Sequence, residues 1–123
     1  MSENKCCGDS PKVVFACSGA SDVGAISDQA ARRVSRKKVA SMGCLAAINN
    51  QLGFVMDSVK AASKIVAIDG CSENCAKLTL EKAGVVNFHQ ILLSDLGMEK
   101  GHSLVNQKHI EMVYNEAQRI LGD

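Results

Sequence analysis

The sequence predicts a single α/β domain built on a parallel sheet of about four strands. Three observations carry that expectation. Short β-branched runs alternate along the chain with segments of helical periodicity. The 123 residues suit one ordinary domain. Apolar residues make up 46% of the chain and aromatics only 3%, so the core must be aliphatic and can form without cross-links.

Residues 1–11 read as a flexible tail that carries Cys6, Cys7 and the chain's one proline, and 12–123 as the domain. Lys12 to Ala16 (KVVFA) is β-branched and aromatic, and is the first predicted strand. A small-residue turn follows, after which Val23, Ile26, Ala30 and Val34 recur at helical spacing. Arg32, Arg33, Arg36, Lys37 and Lys38 close that helix, where positive charge complements the dipole and is solvated. Val39 to Gly43 is placed as a strand mainly because it precedes Cys44, and Leu45 to Leu52 reads as either a loop or a helical turn. Phe54, Val55, Val59 and Ala62 suggest the second helix.

Lys64 to Ile68 (KIVAI) is the clearest strand and runs into Asp69-Gly70-Cys71. Ser72 is the expected cap of a third helix, with Glu73 in its first turn and a stop at Gly84. Phe88 to Leu93 is the fourth strand, and Ser94 to Ser103 a polar loop. Ile110, Val113, Tyr114, Ala117, Ile120 and Leu121 form the stripe of a fourth helix. Such alternation implies crossover connections and a Rossmann-like three-layer sandwich, with strand order open.

The composition narrows the function classes. A formal charge of +1, no Trp, one Tyr and three Phe argue against a nucleic-acid surface. The polar N-terminus lacks a signal-peptide apolar stretch, and no run approaches the ~18 apolar residues of a membrane span. The expected location is therefore the cytoplasm, with no membrane partner. Six cysteines in a reducing compartment point to metal, catalytic or redox work rather than a disulfide framework.

Cys17, Cys44 and Cys71 fall 27 residues apart, about one strand–helix unit, so each should follow the carboxyl end of a strand. In open parallel sheets those ends share one edge, where sites are built. Cys75 stands four residues beyond Cys71, one helical turn further along the same face. Four thiolates suit zinc, with tetrahedral ligands at ~2.3 Å. Backbone N–H groups at the helix start near Cys71 and Cys75 are expected to favour anionic sulfur. Asp69 is a candidate to orient the site from behind, or a turn former in Asp-Gly. Lys100 is a candidate to offset the negative charge of a four-thiolate zinc centre. The competing reading makes Cys17 and Cys44 small buried apolar residues.

Cys17-Ser18-Gly19-Ala20-Ser21-Asp22-Val23-Gly24, Cys44-Leu45-Ala46, Asp69-Gly70-Cys71-Ser72-Glu73-Asn74-Cys75-Ala76 and Asp95-Leu96-Gly97-Met98-Glu99-Lys100 occur in that order from about residue 13 to 101. In these stretches the chain resembles the DGC-domain family, named for its Asp-Gly-Cys motif. The resemblance implies zinc binding through Cys17, Cys44, Cys71 and Cys75, and no defined reaction.

Other features carry less. Gly19 and Gly24 could open an anion cradle before the first helix, although neither a P-loop nor a dinucleotide fingerprint is present. His89 reads as a strand residue, His102 as a reserve ligand and His109 as solvated. The alternative to a metal module is a thiol-redox enzyme or sulfur or selenium carrier, with Cys71 or Cys17 as nucleophile and Cys75 or Cys44 resolving it. A partner-binding domain whose cysteines only brace the edge is the third reading, and no protein partner is named by the sequence.

Overall fold

The computed structural model describes residues 11–70 and 72–122. Residues 1–10, with Cys6 and Cys7, and also Cys71, lie outside the described residues. Four parallel strands, β1 (Lys12–Ala16), β2 (Ser41–Met42), β3 (Lys64–Asp69) and β4 (His89–Leu92), form one sheet in the order β2-β1-β3-β4. The helices are α1 (Asp22–Arg36), α2 (Leu45–Asn49), α3 (Gly53–Ala61), α4 (Cys75–Lys82) and α5 (Gln107–Leu121), with a short 3-10 turn at Leu93–Leu96.

Strand alternation sorts the side chains into two layers. Val14, Ala16, Val66, Ile68 and Ile91 pack under α1 and α5. Val13, Phe15, Ile65 and Ala67 pack on the opposite face with residues of α2, α3 and α4. The sheet is thus covered on both sides, as a parallel sheet requires, and the expected three-layer sandwich is found. Among the described residues no helix is long and apolar enough to cross a membrane.

The local chemistry explains the boundaries. The Ser21 side chain caps α1 by accepting from the Gly24 N–H at 3.1 Å. Ser27, fully buried inside α1, donates to the Val23 carbonyl at 2.8 Å, so its hydroxyl is satisfied. The α1 register ends where Lys38 turns left-handed at φ 61°.

Of the two readings of Leu45 to Leu52 the helical one is found: α2 forms, the chain turns left-handed at Gln51 (φ 54°), and α3 starts at Gly53. One expectation needs correction in detail. The third predicted helix does not start at Ser72. Ser72 and Glu73 form a turn, Asn74 is left-handed at φ 57°, and α4 begins only at Cys75.

Candidate functional site

The strand order sets the site. Successive connections leave β1 toward β2 and β3 toward β4, in opposite directions, so the crevice of the sheet opens between the carboxyl ends of β1 and β3. Cys17 directly follows β1, and its N–H donates to the Ile68 carbonyl at 2.9 Å, extending the β1–β3 pairing by one step. The half-buried Cys17 sulfur lies 3.8 Å from where a Cβ at Gly19 would stand, so the glycine leaves one side of the thiol uncovered.

Cys44 lies two residues past β2 and is exposed. It is the N-cap residue of α2, with its carbonyl accepting from Ala47 and Ile48 while the thiol makes no capping bond. The preceding Gly43 donates its N–H to Val14 at 2.8 Å. A Cβ at Gly43 would come within 2.4 Å of the Phe15 ring, so only glycine lets the chain pass over that side chain. Cys75 is the first residue of α4 and is exposed.

The edge is held together by two carboxylates. Asp69, at the end of β3, is fully buried. It accepts from the Ala76 N–H at 2.7 Å, the Lys77 N–H at 3.1 Å and Gln90 Nε2 at 2.9 Å. Gln90 also donates to the Asn74 side chain at 2.9 Å. The cap of α4 is therefore supplied by the strand end, six residues upstream of Cys75. Two N–H groups of this helix start, those of Ala76 and Lys77, thus serve the Asp69 carboxylate. Gly70 packs so closely on α1 that a Cβ would meet the Val23 backbone at 2.9 Å.

The second carboxylate is Asp22, which the sequence reading quoted only within a motif. It accepts from Gly101 N–H at 2.9 Å, Ser103 N–H at 3.0 Å and Val23 N–H at 2.7 Å, fastening the loop after β4 to the start of α1. The Gly101 and Ser103 N–H groups hold its carboxyl below the ordinary value of 3.8 and outweigh the opposing effect of burial. Ser103 in turn accepts from the Glu99 N–H and donates to the Glu99 carbonyl, both at 2.8 Å.

A depressed folded-state value means that the Asp22 contribution is complete above the unfolded carboxylate range and is lost as pH falls through the lowered folded value. Asp22→Asn is expected to raise amide exchange at Gly101 and Ser103 several-fold at neutral pH. In the unmodified protein their protection should persist down to about pH 4 and fade only below it. Hydrogen exchange followed by NMR checks both.

Lys100 lines an open pocket of about 250 Å³ with Gly70, Ser72, Glu73, Ser94 and Glu99. It therefore borders the segment on either side of Cys71, together with two carboxylates that the sequence reading did not pair with it. His89 and His102 are exposed. His109 is half-buried, and its ring nitrogen Nδ1 meets the Leu104 carbonyl at 2.6 Å rather than water alone. Gly24 has its own structural reason: a Cβ there would lie 2.6 Å from the Gly19 carbonyl oxygen.

Thiols at the ends of adjacent strands and at a helix start, all on one sheet edge, are a donor set that zinc accepts. Among the described residues, no three His, Cys, Asp or Glu side chains are already gathered to hold a metal ion. A centre using Cys17, Cys44 and Cys75 would draw these loops together or include Cys71.

Residues 13–117 match the model of the DGC domain. The chain belongs to the DGC domain family. A similar protein is the anaerobic and virulence modulator AnvM of Pseudomonas aeruginosa, 29% identical over 110 residues that span 89% of this chain and 84% of AnvM. No solved structure matches the chain. In this DGC domain, the Asp of the Asp-Gly-Cys motif is the buried carboxylate that caps α4, and the Gly packs against Val23 of α1 where a Cβ would not fit.

Two functional positions escaped the sequence reading. Gln90 stood beside His89 as a polar pair in an otherwise apolar run, FHQILL, which was its available signal. Asp22 stood only inside the Cys17–Gly24 motif; its long-range partners lie about 80 residues away, beyond the reach of local patterns.

Proposed function

We propose that this DGC domain is a thiolate metal-binding module that holds zinc through Cys17, Cys44, Cys71 and Cys75 and serves a structural, carrier or sensor role. The observation that carries the reading is the common placement of Cys17, Cys44 and Cys75 at the carboxyl edge of one parallel sheet, around its switch point. Bound there, zinc would supply a charge and a cross-link between loops of three different strand–helix units. Asp69 acts from behind by holding the α4 start that carries Cys75, and Lys100 is a cation that lines the same pocket as Gly70 and Ser72. The role in AnvM's name, modulation of anaerobic and virulence behaviour, favours the sensor form among the three.

The test is metal quantitation on full-length protein purified without added zinc, beside the four single Cys→Ser variants. About one zinc per chain, with affinity reduced at least tenfold in each variant, is the expected result. Far less than one metal per chain, with the thiols titrating freely, overturns the reading.

A second reading, a thiol-redox enzyme or a sulfur or selenium carrier, is favoured by the exposure of Cys44 and Cys75. One thiol alkylating much faster than the others, in metal-free protein, would support it. Uniformly slow alkylation would count against it.

A further inference from the structure

The basic end of α1 has a second aspect that a solvated helix terminus does not explain. Arg32, Ser35 and Arg36 line an open cleft of about 800 Å³ between α1 and the ends of β1 and β2. Its other wall is Met42, Leu45 and Ala46, and Cys44 lies along the same lining. The volume falls within the range of small-molecule sites, roughly 300–1,000 Å³.

The polar groups of the cleft are arranged rather than scattered. Asp28 also lines it, accepting from Ser18 Oγ at 2.8 Å and from Arg32 Nε at 2.7 Å. That pairing consumes the carboxylate and fixes the Arg32 stem, while the terminal amino groups of Arg32 remain as donors. Arg36, one helical turn on, meets no carboxylate among the described residues. Two guanidinium groups against one carboxylate leave the cleft with an excess positive charge beside an aliphatic wall.

We propose that this cleft binds a small amphiphilic anion, with its carboxylate or phosphate head on Arg36 and Arg32 and its apolar body along Met42, Leu45 and Ala46. A guanidinium offers the paired donors that either head group accepts. The bound molecule would border Cys44, so its occupancy could be sensed at the thiol edge. The proposal does not depend on the metal reading.

NMR titration of the isotope-labelled full chain with octanoate, octyl phosphate, octan-1-ol and inorganic phosphate tests it. Octanoate or octyl phosphate should shift signals of residues 16–18, 28–36 and 42–46 saturably. Octan-1-ol and inorganic phosphate should bind at least about tenfold more weakly, since each lacks one half of the recognised chemistry. Arg36→Ala should weaken binding of the anion at least about fivefold, and Arg36→Lys should recover part of it. The exposed position of Arg36 allows both variants to fold, which circular dichroism verifies, and their zinc content should equal that of the parent. Absence of saturable shifts with both amphiphilic anions, equal affinity for octan-1-ol, or an unchanged affinity in Arg36→Ala would each overturn the proposal.

Discussion

Asp69→Ala is expected to destabilise the domain by about 2–4 kcal/mol, the cost of losing a helix cap together with buried charge-assisted hydrogen bonds. Two effects oppose one another. Removing a buried carboxylate relieves its desolvation. It also orphans the N–H groups of Ala76 and Lys77 and the amide of Gln90, all of which converge on that one carboxylate. Ala76 is fully buried, so its N–H has no ready access to water, and the loss dominates. Asp69→Asn keeps the shape and one acceptor oxygen but turns an NH₂ toward a donor, and should cost about half as much. Urea unfolding measures the stability. Exchange at Ala76 and Lys77 separates loss of the α4 cap from a global effect, since those amides should open well before the core of β3. Loss of order at the start of α4 would also loosen Cys75, so metal affinity should fall with cap integrity if the proposed function holds.

Phe15→Ala is expected to have the larger effect on stability, about 3–5 kcal/mol, as for other large-to-small changes of a buried aromatic. Phe15 is fully buried in β1 and packs in the layer formed with α2, α3 and α4. In a domain whose total stability is of the order of 5–15 kcal/mol, this loss populates the unfolded state substantially. The consequence also reaches the site. The Phe15 ring is the floor beneath Gly43, and Gly43 is held by its N–H bond to Val14. With the ring removed, the segment carrying Cys44 loses its support. The Gly43 amide should lose protection out of proportion to the amides of α5 on the opposite face. Phe15→Leu, which refills part of the space, should recover more than half of the stability. Thermal and urea unfolding give the magnitude, and amide exchange gives the location.

Much of the fold was legible because it is written in short-range patterns. β1 was read with its observed bounds from KVVFA, and β3 was read one residue short of its end at Asp69. The stripes of α1 and α5 recur in the burial of Val23, Ile26, Ala30 and Val34 and of Ile110, Val113, Tyr114, Ala117 and Leu121. β2 was placed less well because it is only two residues long and carries no β-branched run; it exists because Val13 and Val14 offer it an edge to pair with. The start of α4 was misplaced for a related reason. Ser72 has the right chemistry for a local cap, but Asp69 reaches the same helix from the strand, and a fully buried carboxylate bound by several donors outcompetes an exposed hydroxyl.

The cysteines divide along the same line. The sequence by itself determined that Cys17 and Cys44 would each follow a strand, because the spacing of 27 residues matches one strand–helix unit and every strand of a parallel sheet ends at the same edge. It also determined the aliphatic core and the Asp-Gly-Cys motif. Only the tertiary structure decided that β1 and β3 are neighbours at the switch point, that Asp22 ties the loop after β4 to α1, and that Arg32 and Arg36 share a cleft with Cys44. Periodicity and turn chemistry act over a few residues and leave a trace in the sequence. Strand order and the capture of a distant N–H by a carboxylate depend on which surfaces meet after collapse, and they leave none.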